Sequence, residues 1–147
     1  MSRIFLVIGL LLLSACVQAV PPADSGTTMS SSSSSVADAY ADIVHVAEPL
    51  PGTTVPSTFT VTGEARGPWY FEASFPVSLE DTEGNVIVET HAEAQGEWMT
   101  EDFVPFTATL DATPLRGKDA VLVVKNDNPS GLPENEKEVR IPIHIAE

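Results

Sequence analysis

Downstream of Asp42 the apolar residues recur at every second position, and this period constrains the fold more than any other feature of the chain. Along Trp69–Glu80, the residues Trp69, Phe71, Ala73, Phe75, Val77 and Leu79 alternate with Tyr70, Glu72, Ser74, Pro76, Ser78 and Glu80. Successive side chains of a strand point to opposite faces, so this spacing predicts a half-buried strand with the first set inward. The last run repeats the pattern, with Val139, Ile141, Ile143 and Ile145 against Arg140, Pro142 and His144. A further run places Val104, Phe106, Ala108 and Leu110 inward, and Ala120–Val124 is continuously apolar, as a central strand is. In all, seven strand-like runs follow one another: Ile43–Glu48, Thr58–Ala65, Trp69–Glu80, Asn85–Ala94, Asp102–Leu110, Ala120–Lys125 and Lys137–Ala146. The breaks between them are rich in Gly, Pro, Asn and Asp, which punctuate strands for steric reasons. Pro76 and Pro142 donate nothing to a ladder and so mark an edge or a bulge. Asp81–Asn85 reads as a tight hairpin with Gly84 at a position needing positive φ. About seven short strands with no helical period predict an all-β fold, an antiparallel β-sandwich.

The chain has 147 residues and room for one domain. Its single cysteine excludes an intrachain disulfide, so Trp69, Phe71, Phe75 and Phe106 are expected to supply the bulk of the core. The net charge of −14 argues against nucleic acid, whose phosphates need clustered Lys and Arg, and against electrostatic docking on anionic lipid.

The first residues read as an export signal. Arg3 precedes a run from Ile4 to Leu13 that is apolar or Gly throughout. As a helix that run spans only ~15 Å against a hydrocarbon core of ~30 Å, too short for a stable membrane span. It ends in Leu13-Ser14-Ala15-Cys16, which resembles the lipobox of bacterial lipoproteins. The resemblance implies cleavage after residue 15 and acylation of the Cys16 thiol, which would also remove a lone free thiol from an oxidising compartment. The competing reading is plain secretion, with cleavage after Ala19. Acylation at Cys16 would supply the more than one chain that stable anchoring needs. Val17 is not the Asp that commonly retains such proteins at an inner membrane. The expected location is therefore the cell envelope: the outer membrane in a cell with two membranes, otherwise the outer face of the cell membrane. Loss of Arg3 would take the charge to −15, and the repulsion from anionic lipid would hold the domain outward. Residues 16–41, with serines from Ser30 to Ser35, read as a flexible tether with a root-mean-square reach of ~25–30 Å. The domain is expected over residues 42–147.

That domain resembles a known family. The segment Val61-x-Gly63-x-Ala65-Arg66-Gly67-x-Trp69 through Val77, the Leu79-x-Asp81-x-x-Gly84 hairpin, Gly96-Glu97-Trp98-Met99, Asp102-Phe103, Asn128-Pro129-Ser130-Gly131-x-Pro133-Glu134 and Val139-x-Ile141-Pro142-Ile143 stand in the order found in the immunoglobulin-like domain of bacterial spore germination proteins. The resemblance implies an immunoglobulin-like fold without the intersheet disulfide, in an extracytoplasmic interaction module that is not an enzyme.

Candidate sites are few. His45, His91 and His144 stand on three separate runs without metal-binding spacing. No G-x-S-x-G elbow is present, and the neighbouring carboxylates Glu80-Asp81 and Glu101-Asp102 point to opposite faces of their strands. No catalytic residue and no cofactor is expected. The loop Asn126–Glu136 gathers oxygen ligands, of which Asp127, Asn128 and Glu134 are candidates for calcium, although the spacing is not that of an EF-hand and a hydrogen-bonded turn explains the same residues. Tyr70, on the face opposite Trp69, and Trp98, after Gly96, are candidate binding aromatics. The function expected is binding, adhesion or envelope architecture, with an unknown envelope protein or glycan as partner. A carbohydrate-binding accessory domain and a component of germination machinery are the alternatives.

Overall fold

The computed structural model describes residues 40–147. The lipobox residues Leu13, Ser14 and Ala15, Cys16 and the tether through residue 39 lie outside them. Eight strands form: β1 (Val44–Glu48), β2 (Thr54–Val55), β3 (Thr58–Arg66), β4 (Ser74–Glu80), β5 (Val86–Ala94), β6 (Phe103–Asp111), β7 (Asp119–Lys125) and β8 (Glu138–Ile145). They make one hydrogen-bonded sheet in the order β1-β3-β6-β5-β4-β7-β8-β2. All ladders are antiparallel except β2 with β8.

This sheet cannot be flat. Eight strands laid side by side would put β1 and β2 about 34 Å apart at ~4.8 Å spacing. The six peptide steps from Glu48 to Thr54 reach at most ~20 Å. The sheet therefore curls until its two edges meet. Its first half, β1-β3-β6-β5, and its second, β4-β7-β8, follow the two strand groups of an immunoglobulin constant-type domain, and the β4–β5 hairpin joins them. The all-β, immunoglobulin-like class holds. The strand count rises from seven to eight because Thr54–Val55, too short to carry a period, finds a partner at His144–Ile145.

Alternate residues of β6 and β8 face inward as their period predicts. Val104, Phe106, Ala108 and Leu110 are buried, and so are Val139, Ile141, Ile143 and Ile145. β7 lies between β4 and β8 and buries Leu122, Val123 and Val124, as a central strand does. Pro142 sits where an edge proline should. Its carbonyl accepts from the Gly52 N–H at 2.7 Å, so its backbone faces away from β7 and no ladder bond is lost. Pro76 precedes the β4–β7 ladder, which starts at Val77. Gly84 has φ of +87°, and the Asp81 carboxylate accepts from Asn85 Nδ2, Asn85 N and Glu83 N, each at 2.9 Å. Those bonds, the Asn85 side chain's first, hold the Asp81 carboxyl below the usual carboxylate range.

The run Trp69–Glu80 departs from expectation. Its strand starts only at Ser74. Gly67–Trp69 is a single 3-10 turn with Pro68 inside it. Phe71 and Ser74 then exchange backbone hydrogen bonds of 3.0 and 3.1 Å around Glu72 and Ala73, whose φ values are +50° and +65°. These two turns break the parity of the alternation. Phe71, expected inward, is 43% exposed, whereas Tyr70, expected outward, is 4% exposed. Ser78, also expected outward, is buried. The aromatic core is thus Phe59, Trp69, Tyr70, Phe75 and Phe106, with Phe75 meeting Phe106 edge-on at 4.9 Å and Tyr70 at 5.1 Å. Tyr40 packs on Trp69 at 5.9 Å.

Candidate functional site

At the end of the sheet where β3 stops, Gly67, Pro68 and Tyr70 face the loop Trp98–Glu101 across an open depression of about 520 Å³. Two features of the sequence build it. Gly67 lies against the loop backbone and donates to Thr100 O at 3.0 Å. A Cβ at position 67 would stand 2.1 Å from Thr100 O and 2.6 Å from Trp98 O, so only glycine lets the loop close there. Arg66 then clamps the loop's far end. Its Nε donates to Asp42 O at 2.7 Å, its Nη1 donates to Glu101 O, and its guanidinium lies 4.2 Å over the Phe103 ring. Phe103 also stacks with His45 at 4.7 Å. Within the loop, Thr100 N donates to Trp98 O at 2.8 Å and Asp102 N donates to Thr100 Oγ1 at 3.1 Å.

The loop is therefore a fixed platform. It carries Trp98, half-buried against the core, and Met99, which is 74% exposed. Tyr70 and Trp98 do come together here, but not as an exposed pair. The Tyr70 hydroxyl donates to Val104 O at 2.7 Å, and burial pushes its pKa up to about 12. Tyr70 supplies a wall, and its polar end is already used. Met99 was legible only as the neighbour of Trp98. The clue to its exposure is the polar, turn-forming company of Gly96, Glu97 and Thr100.

The remaining candidates stay apart. His45 pairs with Glu64 at 3.1 Å and His144 with Asp119 at 2.8 Å, on different strands from His91. Among the described residues no group of three or more His, Cys, Asp or Glu side chains is placed to hold a metal. In the loop Asn126–Glu136, Asn126 Oδ1 accepts from Lys137 N at 2.7 Å and Asn128 Oδ1 accepts from Ser130 Oγ at 2.5 Å. Those two oxygens accept from donors of the loop and its C-terminal flank, as in a hydrogen-bonded turn. Glu134 is exposed on the single-turn helix Pro133–Asn135. The neighbouring carboxylates diverge too: Glu80 meets Arg140, and Asp81 holds its hairpin.

An immunoglobulin-like all-β module with an aromatic-lined depression is a class of protein defined by its fold alone. A family model narrows it. Residues 43–132, more than half of the chain, match the immunoglobulin-like domain of bacterial spore germination. The chain belongs to this family. The match ends at Leu132, and the structure carries the domain on through β8 to Ile145. No curated protein matches the chain.

Proposed function

We propose that the protein is a non-catalytic binding module of the bacterial cell envelope, anchored by lipid on Cys16 and holding its immunoglobulin-like domain outward to grip a protein partner at the Trp98–Met99 rim. The observation that carries this reading is Met99, 74% exposed at the lip of an open depression whose backbone is fixed by Gly67 and Arg66. An exposed methionine beside a half-buried tryptophan on a rigid platform suits a protein interface, where polarizable and aromatic side chains are enriched. A glycan is the weaker reading, because stacking on sugar asks for open ring faces and Tyr70 is covered.

Two measurements test the proposal. Metabolic labelling with a palmitate analogue is expected to mark the wild type and not Cys16→Ser; equal labelling sinks the anchor. A photo-crosslinking residue at position 99, in cells, is expected to give a discrete protein adduct that Trp98→Ala removes. Adducts to glycan alone, or none, overturn the protein-partner reading.

A further inference from the structure

Met99 carries the only sulfur atom in residues 40–147. Met1, Met29 and Cys16 lie outside the described residues. At 74% exposure Met99 is more open than Leu50, Phe71, Val86, Ile87 or Leu132, the other large apolar residues that stand in solvent. Its thioether is soft and polarizable, and it is the group of this domain that a two-electron oxidant meets first. The indole rings are shielded, Trp69 in the core and Trp98 half-buried against it.

The loop around Met99 is poorly equipped to absorb an added oxygen. Gly67 N donates to Thr100 O, Thr100 N to Trp98 O and Asp102 N to Thr100 Oγ1, while Arg66 is spent on Asp42 O and Glu101 O. Met99 N itself donates to Glu97 Oε1 at 3.4 Å. Glu97 and Glu101, on either side of the loop tip, are exposed carboxylates that accept and do not donate. A sulfoxide oxygen is an acceptor. At Met99 it finds the backbone donors of Gly67, Met99, Thr100 and Asp102 taken, and it stands at the lip of the depression. Covering such an oxygen with apolar partner surface is unfavourable. The fold itself does not need this sulfur to be apolar, because Met99 is no part of the buried core.

We infer that Met99 is a reversible sulfoxidation site, at which a peroxide turns the apolar lip of the depression polar and so switches the rim off. A sulfur lone pair attacks one oxygen of hydrogen peroxide, the S–O bond forms and the O–O bond breaks. The hydroxide released takes the proton left on the transferred oxygen and departs as water. Sulfur loses two electrons and the peroxide gains them. Methionine sulfoxide reductases reverse the step, with their thiols returning the two electrons. The effect on binding rests on the protein-partner reading of this rim; the oxidation of Met99 does not.

The test uses the full chain in detergent micelles, treated with hydrogen peroxide and mapped by mass spectrometry of its peptides. Met99 is expected to gain one oxygen at a rate within about threefold of free methionine, and to lose it again to methionine sulfoxide reductases. The urea midpoint of the oxidised protein should match that of the untreated one. Binding is read in cells with a photo-crosslinking residue at position 101, whose part in the loop is played by its backbone carbonyl. A peroxide pulse should reduce the protein adduct by roughly tenfold or more. Met99→Gln, polar and of similar length, should do so without peroxide. The adduct of Met99→Leu, whatever its starting level, should not respond to the pulse. Slower oxidation than that at Met99 overturns the inference, and so does a shifted midpoint, which would make the sulfur structural. An equal fall in the Met99→Leu adduct overturns the switch by placing the effect on the partner. If no adduct forms before peroxide, the protein-partner reading fails and the switch with it, and the peptide map alone upholds or overturns the oxidation site.

Discussion

Arg140 of β8 reaches across β7 and pairs with the Glu80 carboxylate of β4. Its Nη1 also donates to Glu138 Oε1 at 3.0 Å, and these carboxylates raise the guanidinium pKa above its ordinary value, the Glu80 hydrogen bond first. Glu80 is only 12% exposed and Arg140 34%, so the pair lies between a surface bridge and a buried one. Arg140→Met is expected to cost about 1–3 kcal/mol, between the two regimes. Urea unfolding of wild type, Arg140→Met, Glu80→Gln and the double variant measures the coupling. Additive losses would show that the two side chains do not act together.

Gly63 is held by space, not by its dihedral angle. A Cβ there would lie 2.1 Å from His45 O and 2.7 Å from Phe106 Cζ. It therefore meets the backbone of β1 on one side and the core on the other. Gly63→Ala is expected to destabilise by about 1–3 kcal/mol or more, as overpacking does. Hydrogen exchange should show β1 loosened before β7 and β8. Uniform loss of protection would mean that β1 is not the element that gives way.

The sequence carried β6, β7 and β8 well, because each has one unambiguous face or a continuous apolar run set off by turn residues. It misled at Trp69–Ala73. There the alternation continues by coincidence through a 3-10 turn and a two-residue turn, and the latter uses Glu72-Ala73 where Asn-Gly would have announced it. Tertiary contacts enforce that turn: Ala73 O accepts from Ala94 N at 2.8 Å, and Trp69 and Tyr70 are buried on its N-terminal side. Alternation read straight through this segment puts Tyr70 on the wrong face and so distorts the site, whereas Trp98 is marked by its place after Gly96. β2 depends on which strand lies beside it, and no local pattern encodes that.

Ala73 supplies the next expectation. At φ of +65° its Cβ costs roughly 1–2 kcal/mol relative to the right-handed region, which glycine would not incur. Glycine also adds about 0.4–1 kcal/mol of unfolded-state entropy to be lost. Ala73→Gly is therefore expected to stabilise by about 0.5–1 kcal/mol, and Ala73→Val, with its branched Cβ, to destabilise. The denaturation midpoints of the two variants should move in opposite directions. Both moving downward would show that Ala73 packing outweighs its backbone strain.

Tyr70 gives the fold a dependence on alkaline pH. Its phenol is raised from 10.0 to about 12, first by burial, so the unfolded chain loses this proton while the folded one keeps it. The contribution is fully present below pH 10 and is lost as the pH rises from 10 towards about 12. At about 1.4 kcal/mol per pH unit the full loss is roughly 2–3 kcal/mol. Tyr70→Phe removes this slope. At neutral pH it should cost about 1–2 kcal/mol, because Val104 O loses the hydroxyl it accepts from. Unfolding free energy measured from pH 8 to pH 12, with tyrosinate absorbance recorded alongside, separates the two effects. If Tyr70→Phe loses stability above pH 10 as steeply as the wild type, the alkaline limb belongs to other groups.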